Sequence, residues 1–92
     1  MKSIIQQEKE CLVCKQPYVE DHHIFYGTGK RQLSEKYGLK VWLCYRHHRD
    51  HRTGVHHCKE LDLKIKRMAQ KKFELTHTRA EFLKIFGINY LD

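Results

Sequence analysis

The sequence predicts a small α+β domain: two short strands, a knuckle rich in cysteine and histidine, and two C-terminal helices. Three observations carry that expectation. Cysteine and histidine gather in short knots, C-L-V-C at 11–14, D-H-H-I at 21–24 and C-Y-R-H-H-R-D-H at 44–51. Two stretches rich in aromatic and β-branched types, 18–26 and 39–44, lie on either side of a more polar segment. From about residue 59 onward, apolar residues recur at three- and four-residue spacing. A chain of 92 residues suits one domain, 1–92. Residues 11–57 hold the knots and strands, and 58–92 form the helical part.

The elements follow in order. Pro17, three residues past Cys14, fits a turn that leaves the first knot. Residues 18–26, Y-V-E-D-H-H-I-F-Y, suit a strand that G-T-G at 27–29 breaks. K-R-Q-L-S-E-K-Y at 30–37 reads as a short helix closed by Gly38 in a left-handed cap. L-K-V-W-L-C at 39–44 reads as the second strand, and the histidine block after it enters a helix. Over 59–75, Leu61, Ile65, Met68, Ala69 and Phe73 form a stripe able to face a core. T-R-A-E at 78–81 matches a capping box, with Thr78 as the N-cap and Glu81 reaching back. The helix it starts carries Phe82, Leu83, Ile85 and Phe86 and ends at Gly87.

Eighteen Lys and Arg against eleven Asp and Glu give a net charge of +7. Such an excess suits a polyanion, because Lys and Arg release condensed counterions from a phosphate backbone. No stretch is apolar enough for a secretory signal or a membrane span. The expected setting is therefore a reducing cytoplasm, where clustered cysteine and histidine favour metal over disulfide. Zinc takes four ligands in a tetrahedron, and C-x-x-C grips two of its corners in one turn. Cys11 and Cys14 supply one such pair and Cys44 with His47, at the same spacing, the other; Cys58 is the rival to His47. Of the histidines left over, His22, His23, His48, His51, His56 and His57 suit a second divalent metal and a general base, while His77, in the linker between the last two helices, reads as a surface or core residue.

C-L-V-C, then D-H-H-I on a strand, a second strand, and L-C-Y-R-H-H entering a helix together resemble the HNH nucleases over roughly residues 11–57. The segments K-R-Q-L-S-E-K-Y-G-L-K-V and F-L-K-I-F-G-I-N-Y-L are similar to small HNH-type proteins of phages and prophages. The resemblance implies a ββα-metal finger braced by a structural zinc, and hydrolysis of phosphodiesters in double-stranded DNA by an endonuclease or nickase. By the same resemblance His23 is the general base. Asp21 or His22 takes the first position on a catalytic Mg²⁺, Mn²⁺ or other divalent ion, and His48 the next. His51 is a third ligand, with His56 and His57 as rivals. Lys30, Arg31, Arg46, Arg49 and Arg52 would hold the flanking phosphates. A phage origin would place the protein in the cytoplasm of a bacterial host. One departure stands out: the family's central Asn, which steadies the base, has no counterpart between His23 and Cys44. Gln32, Thr28 or a backbone carbonyl are the candidates to replace it. The alternatives are a zinc-stapled nucleic-acid-binding module without catalysis, and a protein-interaction domain.

Overall fold

A computed structural model describes residues 2–91. The chain forms strand β1 (Glu20–His23), helix α1 (Lys30–Tyr37), strand β2 (Lys40–Leu43), the single turn α2 (Tyr45–His48), and helices α3 (Lys59–Phe73) and α4 (Arg79–Phe86). The sheet has two antiparallel strands, paired Glu20 to Leu43, Asp21 to Trp42, His22 to Val41 and His23 to Lys40. The described residues are thus a small α+β unit with one hairpin-like sheet and four helices, α1 lying between the strands.

β1 is shorter than the run of strand-forming residues from which it was expected. Tyr18 stands 83% exposed ahead of it, with no partner strand among the described residues to reward extension there. Phe25 turns instead into the core, against Phe82, Phe86 and Tyr90 at ring-centroid distances of 5.4, 4.6 and 5.5 Å. What locks the chain after β1 is Ser34 of α1, fully buried. Its hydroxyl accepts from the Phe25 amide at 3.0 Å and donates to the Phe25 carbonyl at 2.7 Å. A buried backbone N–H and C=O, which would otherwise be costly, are both satisfied by one side chain.

α1 spans the predicted residues and ends at Gly38, which adopts φ 70° and donates to the Glu35 and Ser34 carbonyls. A side chain at Gly38 would be strained twice. The left-handed backbone disfavours it, and a Cβ would come within 2.5 Å of the Lys2 carbonyl oxygen. That closeness lets the N-terminal segment lie along β2, where the Ile4 amide donates to the Gly38 carbonyl at 2.9 Å.

α3 departs from the predicted stripe. Ile65, Ala69 and Phe73 are buried, but Met68 is 38% exposed, and Gln70 is buried in its stead. At 100° per residue, Met68 falls on the flank of a face centred on Ile65, Ala69 and Phe73. Gln70 can be buried because all of its polar atoms are engaged. Its amide nitrogen donates to Glu74 and Asn89 at 2.7 and 2.8 Å, and its oxygen accepts from the Tyr90 amide at 2.8 Å. The helix ends at Phe73, short of Leu75, which is exposed.

α4 starts with the capping box. Thr78 Oγ1 accepts from the Glu81 amide at 3.1 Å and Glu81 Oε1 accepts from the Thr78 amide at 3.0 Å. Replacing Thr78 by alanine should cost about 1 kcal/mol, lowering the thermal midpoint by roughly 4–8 °C in a domain this size. An unchanged midpoint would show that packing of Phe82 and Phe86 alone sets the start of the helix.

Candidate metal centre

The backbone of the first knot folds back on itself. The Lys15 amide donates to the Cys11 carbonyl and the Cys11 amide to the Gln16 carbonyl, each at 2.9 Å. Lys15 takes a left-handed φ of 68° to close this turn, and the Leu12 amide ties it to the Trp42 carbonyl on β2. On the other side Cys44 is the N-cap of α2, and the His47 and His48 amides both donate to its carbonyl. The two turns meet. Cys14 Sγ lies 3.7 Å from Cys44 Sγ, and His47 Nδ1 lies 3.3 Å from Cys44 Sγ and 3.6 Å from Cys11 Sγ.

These separations are too long for a disulfide, whose sulfurs sit about 2.05 Å apart. They match the edges of a tetrahedron built on zinc–sulfur bonds of about 2.3 Å, whose corners are about 3.8 Å apart. Cys11 is buried, which opposes ionisation, but hydrogen bonds from the backbone of Cys14 and Cys44 outweigh this and bring its thiol down to about 6. The thiolate is the form that binds metal. Cys11, Cys14, Cys44 and His47 form a group suited to a metal such as zinc. Cys58 is not in that group; it is the partly buried N-cap of α3.

Consecutive residues of a helix point about 100° apart, so His47 and His48 diverge. His47 faces the cysteines, whereas His48 faces β1. There His22, His48 and His56 each offer a ring nitrogen, all within 4.8 Å of one another, with ring centroids 5.2 Å apart in every pair. His22 is 2% exposed, and its Nε2 is buried with no hydrogen-bond partner. Burial, reinforced by His48 and His56, holds its pKa down to about 3, so the imidazole stays neutral with a lone pair to give. An orphaned buried nitrogen is costly unless something occupies the space in front of it. His48 is fixed through its other nitrogen, since Nδ1 lies 2.7 Å from Glu20 Oε1. The His48 hydrogen bond, followed by Arg49, keeps the Glu20 carboxyl below its usual range despite some burial. A carboxylate behind a ligating imidazole is the usual way such a ring is oriented. His56 reaches the group by way of the loop 49–58. There Asp50 Oδ1 accepts from the Arg52 and Thr53 amides at 2.8 and 3.2 Å. Buried Val55 donates to the His47 carbonyl at 2.7 Å. Burial is also the main reason that the pKa of His56 is lowered.

Strand alternation sorts the acidic and histidine residues of β1. Glu20 and His22 face α2; Asp21 and His23 face the opposite way, toward α1 and Lys40. A third group results, in which Asp21, His23 and Glu35 bring ligand atoms within 4.8 Å. His23 Nε2 is 2.9 Å from Glu35 Oε1. Both groups border one cleft of about 460 Å³, lined by Asp21, His22, His23, Tyr26, Arg31, His48, Arg49 and His56.

The residues singled out in the sequence therefore separate. His22, His48 and His56 are brought together and His23 lies beside them. His51 is not part of that trio; it lies against His57, ring centroids 5.5 Å apart, because the loop carries it outward after one turn of α2. Asp21 joins His23 rather than His22. Arg31 and Arg49 line the cleft, Arg49 donating to Glu20 at 2.9 Å. Lys30 begins α1, Arg46 sits on α2 and Arg52 in the loop beyond, none of them lining the cleft. Neither Gln32 nor Thr28 is the partner found for His23; Glu35 is. Sequence reasoning also passed over Glu20 and Tyr26. Tyr26 packs on His56 at 4.9 Å and is backed by the Lys66 ammonium at 4.6 Å, which in turn pairs with Asp62 at 2.9 Å. The signal for Glu20 was its place two residues before His22, on the same face of a strand.

Compared with family models, curated proteins and solved structures, the chain finds no match. Among the described residues no helix is long and apolar enough to cross a membrane.

Proposed function

We propose that this protein is a metal-dependent nuclease of the HNH type, hydrolysing phosphodiester bonds in DNA, with zinc at Cys11, Cys14, Cys44 and His47 bracing a ββα-metal unit made of β1, β2 and α2. The observation that carries this reading is the His22, His48 and His56 trio, with the orphaned Nε2 of His22, set in the same basic-edged cleft as His23. Those three residues would hold the catalytic ion. Three imidazoles without a carboxylate suit Zn²⁺, Ni²⁺ or Co²⁺ better than Mg²⁺ or Mn²⁺, which prefer oxygen ligands. A divalent ion bound there supplies Lewis-acid stabilisation of charge on phosphate oxygens.

The chain's own residues do the rest. His23 takes the proton of the attacking water. Arg31 and Arg49 carry fixed positive charge at the cleft and hold the flanking phosphates, which positions the duplex without reading its sequence. The net charge of +7 draws the polyanion to the surface.

The test is nicking of supercoiled plasmid by the zinc-loaded protein supplied with Ni²⁺, Mn²⁺ or Mg²⁺. Wild type should nick, best with Ni²⁺, and His23→Ala should lower the rate by about 10²–10⁴-fold while zinc content stays the same. Plasmid left intact by wild type with every one of these ions would sink the nuclease reading. Salt-sensitive DNA binding in that event, indifferent to His23→Ala, would point to the zinc-stapled binding module instead.

A further inference from the structure

We infer that Glu35 is the positioning residue for His23, holding the imidazole with its proton on Nε2 and its lone pair on Nδ1. The inference rests on His23 being the base proposed above. An ionised carboxylate can only accept hydrogen bonds, so at 2.9 Å from Glu35 Oε1 the His23 Nε2 is the donor. The neutral ring then has Nδ1 as its only acceptor, and its plane is held by the same contact.

Two further features make Glu35 a fixed partner rather than a passing one. Lys40 lies directly across the ladder from His23. Its ammonium donates to both carboxylate oxygens of Glu35, at 3.1 and 3.0 Å, from a side chain only 18% exposed. That ion pair favours the charged carboxylate the arrangement requires. The neighbouring residue, Ser34, is the one whose buried hydroxyl clasps the Phe25 backbone from both sides. Because Phe25 is two residues past His23, this clasp sets the distance between α1 and the imidazole. The helix inserted between the strands thus delivers a carboxylate to the place for which no Asn is available between His23 and Cys44.

Asp21, His23 and Glu35 could instead be taken for a metal site, since their ligand atoms lie within 4.8 Å. Lys40 argues against it. Its ammonium already sits 3.0 Å from Glu35 and 3.9 Å from Asp21, supplying the positive charge a cation would bring.

The tautomer can be read from the ¹⁵N spectrum of histidine-labelled, zinc-loaded protein, and the effect on catalysis from plasmid nicking. Wild type should show His23 protonated on Nε2. Glu35→Ala should mix the tautomers and lower kcat by about 10–100-fold, with KM and metal content unchanged. Glu35→Gln, whose amide oxygen still accepts, should keep the Nε2–H form and recover most of the rate. A wild-type His23 protonated on Nδ1, an unaltered tautomer and rate in Glu35→Ala, or the loss of a bound metal ion from that variant would each overturn the inference. Should wild type fail to nick, the nuclease reading falls while the tautomer still decides Glu35. The wild-type spectrum decides it even if Glu35→Ala does not fold.

Discussion

Cys44→Ser is expected to leave the chain largely unfolded at 25 °C, and a strong chelator to do the same to wild type. Cys44 is a corner of the Cys11, Cys14, Cys44 and His47 group, the N-cap of α2 and the residue directly after β2, all at once. Zinc binding by such sets is worth about 10–16 kcal/mol at neutral pH, whereas whole domains are stable by only about 5–15 kcal/mol. A chain of this size has little surplus core to absorb the loss. Cys58→Ser is the matching control: lying outside the group, it should melt near wild type and retain zinc. Circular dichroism on heating, with zinc measured on the same samples, separates the two. If Cys44→Ser melts as wild type does, or if Cys58→Ser loses zinc, the ligand assignment is wrong.

The second large effect is expected at His22. His22→Leu should remove the second metal ion and reduce nicking by about a thousandfold. Charge stabilisation by a catalytic metal is worth several kcal/mol, and each 1.4 kcal/mol is about a factor of ten. The same change should leave the metal-stripped cleft at least as stable as before. His22 Nε2 is buried without a partner, so an apolar side chain of similar size removes a desolvation penalty rather than a bond. Thermal midpoints, taken with zinc kept in the knuckle and the second site empty, test this half. A His22→Leu protein several degrees less stable than wild type under those conditions would show that His22 is held by contacts rather than reserved for a ligand. Retention of two ions per chain would remove His22 from the metal site altogether.

Local signals were legible where they are local in physics. The helix 30–37 with its Gly38 cap, and the Thr78–Glu81 box, depend on hydrogen bonds within a few residues, and both stand as read. The pairing of C-x-x-C with C-x-x-H was legible for a similar reason, because each half is a single turn whose spacing sets which atoms converge. Patterns that depend on a neighbour in space were less so. Met68 fits a three-and-four stripe as well as Gln70 does not, yet the packed face leaves Met68 half out. It admits Gln70 because Glu74, Asn89 and Tyr90 meet its polar atoms. β1 is shorter than its composition suggests because, among the described residues, only the four-residue β2 pairs with it.

By itself, then, the sequence determined the supply of groups: four residues able to hold a metal in two turns, a strand carrying two histidines in succession, and a surplus of positive charge. Only the tertiary structure decided how they divide. The twofold alternation of β1 turns His22 toward α2 and His23 toward α1 on either side of one cleft, and the 100° step of α2 sends His47 and His48 apart. Loop 49–58 returns His56 rather than His51 to the trio. The clasp of Ser34 on Phe25 brings Glu35 to His23 across twelve residues. Each of these depends on the relative placement of two elements, which spacing along a chain does not encode.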